Sequence, residues 1–277
     1  MEATVEQRRP WSSPESHDAT RQLVYYGRPG LGAVPIPVID CPTGMARVGA
    51  FFDVDRTIVS CNTARLFLRD LRSRGEISFF RALRAMFWMA KYHLSLIDLQ
   101  WVAARIATQM QGQDERDFAA RCRDWVAKDV LPLVVPGARE KIAKHRAEGH
   151  VLAILSTSPT YVTEPLAEVL GIEEVISTRF EVESGQFTGR LVGPACVGRG
   201  KVHWAEDLGA RLQLDLGKSW FYTDSYTDLP MLERVGNQVV VNPDPRLKRI
   251  AKRRGWPVQD WGQPTALVMS PTPEASV

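Results

Sequence analysis

An α/β fold in three layers, with a parallel core sheet and an inserted block made only of helices, is what this 277-residue sequence predicts. Three observations carry that expectation. Short apolar runs recur around Phe51-Phe52, from His150 to Leu155, from Ser219 to Thr223 and from Val239 to Val241, and helical periodicity falls between them, as in a parallel sheet. The runs are apolar at consecutive positions, as strands covered on both faces are. Between Asn62 and about Pro132 the strand signal disappears and only three-to-four spacing remains.

Taken in order, residues 1–45 open with charged, Ser- and Pro-containing sequence. Arg28-Pro29-Gly30-Leu31-Gly32, Pro35 and Pro37 then break any period, predicting an N-terminal extension that is partly disordered. Within it Val34, Ile36 and Val38 alternate as a short extended segment would, while the prolines argue against a central strand. The core is expected over 46–61 and 133–257. Its first strand runs through Val48, Gly49, Ala50, Phe51 and Phe52 into Asp53-Val54-Asp55-Arg56-Thr57. Ligands of open α/β sheets bind at the carboxyl ends of strands, where these acids fall. If the chain turns after Asp53, one carboxylate faces a substrate and the other reaches its far side, which suits a nucleophile and a proton donor. Thr57 adds a hydroxyl or caps the turn. The plain alternative is a turn with solvated acids.

The insert spans 62–132. Asn62 or Thr63 caps a first helix carrying Leu66, Phe67 and Leu71, and Gly75 interrupts it. Phe79, Phe80, Leu83, Met86, Phe87 and Ala90 mark a second helix. Ser95-Leu96-Ile97-Asp98 reads as a capping box for a third, through Trp101, Ala104, Ile106 and Met110. Asp114 and Asp117 open a fourth with the stripe Phe118, Cys122, Trp125 and Val126. Rooted directly after the aspartates, the insert is expected to sit over the site as a cap. Trp88 and Tyr92 fall off the main stripe of the second helix. They fit a helix buried on several sides, and equally a greasy substrate pocket or a bilayer-facing surface helped by Arg81, Arg84 and Lys91.

After Pro136 the strand-and-helix alternation resumes. A helix from Gly137 to Glu148 precedes the strand that ends in Ser156-Thr157-Ser158-Pro159, hydroxyls suited either to a phosphoryl oxygen or to a helix cap. Ser184-Gly185 turns a hairpin expected on the edge of the core. Gly198-Arg199-Gly200-Lys201 precedes a helix over Val202 to Leu208; a lysine there opposes the helix dipole unless an anion is close, and otherwise reads as a surface residue. The strand through Phe221 ends in Asp224-Ser225-Tyr226-Thr227-Asp228, acids that serve a helix cap or, beside Asp53 and Asp55, hold a hard cation such as Mg2+. A last helix runs from Pro245 to Arg254, and 258–277 reads as a loose tail.

Asp53-x-Asp55-x-Thr57, a strand running into Ser156, Lys201 and Asp224-x-x-x-Asp228, in this order, resemble the haloacid dehalogenase superfamily, and the helical insert resembles its phosphoserine phosphatase-like branch (subfamily IB). The resemblance covers about 46–257 and implies a Rossmann-like core with an α-helical cap. It implies that Asp53 attacks phosphorus and becomes an aspartyl-phosphate, that Asp55 protonates the leaving oxygen and later activates water, and that Ser156 and Lys201 hold the phosphoryl oxygens. Mg2+ would be held by Asp53, the backbone carbonyl of Asp55 and Asp224, with Asp228 in support. Two positions depart from the pattern. Arg56 stands where a small or amide residue is more usual, and either contacts substrate phosphate or points into solvent. Thr227 stands where phosphoserine phosphatases place an asparagine, so a phosphate contact is lost or passes to Thr57.

The expected function is therefore a magnesium-dependent phosphomonoesterase acting on a small or lipid-derived phosphate. Phosphoserine hydrolysis, phosphoryl transfer to an alcohol, and a non-catalytic binding or regulatory protein of the same fold are alternatives. With 35 basic and 32 acidic residues the formal charge of +3 offers nucleic acid no electrostatic footprint. Cys41, Cys61, Cys122 and Cys196 form neither a disulfide framework nor a thiolate metal site. The N-terminus has no signal-peptide core and no stretch reaches spanning length, so a cytoplasmic location is expected, with peripheral contact at the inner face of the membrane left open.

Overall fold

The computed structural model describes residues 46–77 and 99–263. In chain order these form β1 (Gly49–Phe52), α1 (Thr63–Ser73), α2 (Leu99–Met110), α3 (Glu115–Trp125), α4 (Pro136–Ala147), β2 (Val151–Pro159), α5 (Thr160–Leu170), β3 (Glu174–Thr178), β4 (Phe180–Glu183) and β5 (Gln186–Leu191). They continue with α6 (Arg199–Leu212), β6 (Trp220–Thr223), α7 (Leu229–Arg234), β7 (Asn237–Val241), α8 (Pro245–Arg254) and β8 (Val258–Gln259). Six strands pair in parallel in the order β3-β2-β1-β6-β7-β8.

The unbroken apolar runs are explained by the two faces of this sheet. Alternate side chains go to opposite faces of a strand. Phe52, Leu152, Ile154, Tyr222, Val239 and Val241 pack with Ala138 and Ile142 of α4 and Leu166 of α5. Phe51, Ala153, Leu155, Phe221 and Val240 pack on the other side with Ala205 and Leu208 of α6, Met231 of α7 and Leu247 of α8. The three layers and the parallel sheet are those the sequence predicts. Register then sets the site: Phe52 pairs with Ile154 on one side and Tyr222 on the other, so the residues that follow, Asp53, Ser156 and Asp224, emerge at one end of three neighbouring strands.

The described parts of the insert are helical, as expected. Asn62 is the cap of α1, its side chain accepting from the Arg65 amide, and Asp114 caps α3 through the Asp117 amide. From α3 the chain returns through a π-helical turn, Val126–Val130, and a 3-10 turn, Leu131–Leu133. The Ser60 amide donates to the Leu133 carbonyl and the Val135 amide to that of Ile58. The two ends of the insert are thereby stitched together within a few residues of Thr57. The second helix expected from Phe79, with Trp88 and Tyr92, and the Ser95 to Asp98 capping box lie outside the described residues.

Three expectations are corrected. The β4–β5 hairpin is a separate antiparallel pair, and it packs on the insert instead of extending the core. Phe187 of β5 meets Phe118 of α3 edge-on at 5.5 Å, and Gln100 of α2 exchanges hydrogen bonds of 2.9 and 2.8 Å with the Ala195 backbone. The signal is the turn at Ser184-Gly185, which does not say which apolar partner a hairpin meets. Helix α6 starts at Arg199, three residues early, putting Lys201 in its first turn. The loose tail expected from 258 is corrected over its first residues, where Val258–Gln259 pairs with β7 and Trp261 is buried against Phe52 and Tyr222, and its part after 263 lies outside the described residues. Among the described residues no helix is long and apolar enough to cross a membrane.

Candidate active site

Lys201 is the pivot of the cluster. Its side chain is 1% exposed, and Nζ donates to Asp53 Oδ1 at 2.9 Å and to Asp228 Oδ2 at 2.7 Å. Of the two sequence readings of this lysine, the structure selects the one with anions beside it. The glycines before it allow the approach. Gly198 has φ +53°, and a Cβ at Gly200 would lie 2.1 Å from the Ala195 carbonyl oxygen, so any side chain there would push the start of α6 away. Burial alone would lower the lysine's proton affinity, but Asp228 and Asp53 outweigh it and hold the ammonium firmly charged. Asp228 Oδ2 also accepts from Thr223 Oγ1 at 2.6 Å.

Asp53 is 6% exposed. Burial pushes its carboxyl up to about 7 against the pull of Lys201, and Asp228 and Asp55 push the same way. Its one hydrogen-bond donor among the described residues is Lys201, on Oδ1, which leaves Oδ2 available. Asp55 is held differently. Oδ1 accepts from the Thr63 amide at 2.9 Å and from Thr63 Oγ1 at 2.7 Å, and Oδ2 accepts from Asn62 Nδ2 at 2.7 Å. Thr63 Oγ1 lies 2.9 Å from Ser158 Oγ, which therefore serves as donor to it. Burial raises the Asp55 carboxyl, and the Thr63 bonds oppose the rise.

Asp224 is 6% exposed, and burial followed by the charge of Asp53 raises its carboxyl well above the ordinary value, with Arg56 opposing. The Arg56 guanidinium is half-exposed, with Nε 3.5 Å from Asp224 Oδ2. It pairs with an acid, a contact that neither alternative offered for Arg56 foresees. Its φ of 56° marks a tight left-handed turn after Asp55. Ser156 is buried at the end of the apolar stretch of β2, and its Oγ accepts from the Ser158 amide at 3.3 Å. Thr227 Oγ1 is 2.9 Å from Ser225 Oγ. Thr57 Oγ1 is fully buried with no hydrogen-bond partner among the described residues.

The metal set that the resemblance implies takes Asp53, Asp224 and the backbone carbonyl of Asp55, with Asp228 in support. Asp228 Oδ2 is taken by Lys201 and Thr223, and the Asp55 oxygens are taken by Asn62 and Thr63. Asp53 and Asp224 remain as side-chain donors. Their raised carboxyls record repulsion and desolvation that a hard, oxygen-seeking cation would relieve, so the residues present fit one. The sequence does not single out Thr63 or Thr223 as part of this site, and it offers Ser158 only as one of several hydroxyls at a strand end. Their hydroxyls are ordinary strand-end and helix-cap residues until the fold brings them to Asp55 and Asp228.

A buried lysine joined to one carboxylate at a strand end and to another at the start of α7, with further acids around them, defines an α/β enzyme built to handle anions. The family model of haloacid dehalogenase-like hydrolases matches residues 50–233. The chain belongs to this family, and its helical insert after β1 places it in the phosphoserine phosphatase-like branch. It is a hydrolase, with the family's general chemistry of magnesium-dependent phosphatase action through an aspartyl-phosphate. A probable phosphatase of Mycobacterium tuberculosis is 32% identical over 225 residues, covering 80% of this chain and 78% of its own. A phosphoserine phosphatase of the same organism is 31% identical over 233 residues, covering 79% and 76%. A Bordetella pertussis protein of unknown function superposes with a TM-score of 0.72 at 28% identity, over 79% of this chain and 100% of its own.

Proposed function

We propose that this enzyme hydrolyses a small or lipid-derived phosphomonoester, with Asp53 as the nucleophile. The observation that carries the reading is the buried Lys201 bridge, which fixes one oxygen of Asp53 and leaves the other without a donor. In this reading the free Oδ2 attacks phosphorus, the bond to the leaving oxygen breaks, and Asp55 gives that oxygen a proton. The raised Asp55 carboxyl is suited to carrying that proton. Asp55 then takes a proton from water, whose oxygen attacks phosphorus and frees the Asp53 carboxylate. Ser156 and Lys201 hold the phosphoryl oxygens, and Lys201 offsets the charge gathered on them. Mg2+ held by Asp53, Asp224 and the backbone carbonyl of Asp55 would neutralise charge on the transferring group. Asp228 supports that arrangement from behind, through Lys201 or a water.

On the substrate side, Thr57 is the better placed of the two threonines to take over the contact that an asparagine makes in phosphoserine phosphatases. Its buried hydroxyl has no partner among the described residues, whereas the Thr227 hydroxyl is engaged with Ser225. A preference away from phosphoserine follows, although two relatives are named phosphoserine phosphatases. The test is phosphate release from a panel of phosphoserine, other soluble phosphomonoesters, lysophospholipid and phosphatidylglycerol phosphates, with Mg2+ or EDTA and with Asp53→Asn. Metal-dependent release that vanishes in the variant, with phosphoserine below the best substrate, supports the proposal. Phosphoserine as the clear favourite refutes the substrate assignment, and turnover by Asp53→Asn refutes the nucleophile. Adding glycerol separates hydrolysis from transfer, since a transferase places phosphate on the alcohol.

A further inference from the structure

At the opposite end of the sheet from these acids lies a second group of ligating side chains that the phosphatase chemistry does not use. His145 lies in the last turn of α4, Glu148 and Gly149 form the turn that follows, and His150 leads into β2. The His150 amide donates to the His145 carbonyl at 3.0 Å, closing this turn. Strand rise puts His150 about 20 Å from Ser156, six residues along β2.

The two imidazoles face each other, His145 Nδ1 to His150 Nδ1, at 2.7 Å. Glu148 Oε2 lies 3.6 Å from the first nitrogen and 3.5 Å from the second. Among the described residues this is the group of three or more candidate ligands whose atoms all fall within 4.8 Å of one another. A hydrogen bond between the two rings explains their approach, but it does not explain the carboxylate. Glu148 Oε2 stands too far from either nitrogen for a good hydrogen bond.

Those distances have the size of a ligand triangle. Tetrahedral zinc with bonds of about 2.0–2.1 Å places its donor atoms about 3.3 Å apart. The two edges to Glu148 already come near that spacing, and the nitrogen pair has to open by about 0.6 Å. The other face of His145 is fixed: Nε2 is 2.7 Å from Tyr222 Oη, and the ring packs against Phe52 and Trp220. With Nε2–H donating to Tyr222, Nδ1 presents its lone pair to the space between the rings. This is the supporting hydrogen bond that ligating histidines usually have. His145 is 2% exposed, His150 18% and Glu148 41%, so the group has a buried anchor and a path from solvent.

We infer that His145, Glu148 and His150 form a second metal site, for a borderline divalent cation of the zinc type, that clamps the end of α4 to the start of β2. Two imidazoles and one carboxylate favour such an ion over Mg2+, which takes oxygen donors. In the metal-bound form His150 carries its proton on Nε2, and a water fills the fourth position. Lys144 Nζ lies 3.7 Å from the other Glu148 oxygen and does not occupy Oε2.

The test is a Zn2+ titration of the chelator-treated full chain, by competition with a chromophoric indicator, in excess Mg2+ to occupy the acids at the other end of the sheet. One Zn2+ per chain is expected in the wild type and in Asp224→Asn. His150→Ala and Glu148→Ala, both at partly exposed positions, should weaken it at least a hundredfold. Tyr222→Phe, which removes the supporting bond, should weaken it about 10–100-fold. A Zn2+-dependent rise in melting temperature should disappear in His150→Ala while circular dichroism shows that variant folded. Unchanged Zn2+ affinity in folded His150→Ala, or loss of Zn2+ in Asp224→Asn, would overturn the inference.

Discussion

Replacing Asp53 with asparagine should stabilise the metal-free protein at alkaline pH while abolishing turnover. The amide keeps an oxygen to accept from Lys201 but carries no buried charge, so the variant side chain resembles the protonated aspartate. The carboxyl rises from its ordinary 3.8 to about 7 in the fold, chiefly through burial. Between those values the unfolded chain has lost the proton and the folded protein still holds it, so stability falls as pH rises. The favourable contribution is complete below pH 3.8 and lost once pH passes about 7. At about 1.4 kcal/mol for each tenfold change in proton affinity, the full cost of ionising Asp53 in the fold is about 4 kcal/mol. Urea unfolding followed by tryptophan fluorescence in EDTA should therefore show wild type and Asp53→Asn nearly equal at pH 4. The variant should be more stable by about 4 kcal/mol at pH 8. Saturating Mg2+ should narrow that gap, since a cation bound only to the folded wild type stabilises it by mass action. Equal stabilities at pH 8 without metal, or a wild type more stable than the variant, would refute the reasoning.

Other substitutions probe the groups around the nucleophile. Lys201→Met leaves Asp53 and Asp228 buried without their shared cation, and should cost about 3–5 kcal/mol in urea unfolding; it should also remove measurable phosphate release. Thr63→Val deletes a hydrogen bond to Asp55 of the kind that lowers its carboxyl, so the limb of the pH–rate profile set by Asp55 should move to higher pH, with kcat falling about tenfold. Thr227→Asn restores the amide found in phosphoserine phosphatases, and should raise kcat/KM for phosphoserine relative to the wild type's best substrate. An unchanged ratio in a competition assay would mean that position 227 does not read the substrate.

The layers of the fold were legible because β1, β2, β6 and β7 carry apolar residues at consecutive positions, as strands of a sheet covered on both faces do. The acids were legible for a related reason: Asp53, Asp55, Asp224 and Asp228 interrupt apolar runs at strand ends, where a carboxylate needs a purpose. Lys201 was less so, because one lysine near a helix start carries no mark of burial until Gly198 and Gly200 are seen to bring the helix against Ala195. The hairpin's partner was hidden for the same kind of reason. The turn at Ser184-Gly185 specifies a hairpin, and tertiary packing alone specifies that Phe187 is buried against Phe118 of the insert. Thr63 reads as a helix cap from sequence, and it sits at the N-terminal start of α1; its second role, holding Asp55, depends on the left-handed turn at Arg56 that folds the chain back.

The central claim is that phosphate passes through a covalent bond to Asp53. The most direct measurement is to mix Asp55→Asn with p-nitrophenyl phosphate and Mg2+, quench in acid, and map the phosphorylated peptide by mass spectrometry after hydroxylamine or borohydride treatment. A good leaving group needs no proton from Asp55, so the first step should proceed and the second should stall. The account predicts a hydroxylamine-sensitive phosphoryl group on Asp53, absent when Asp53 is also replaced by asparagine. Phosphate on another residue, or undiminished phosphate release by Asp53→Asn, would contradict it.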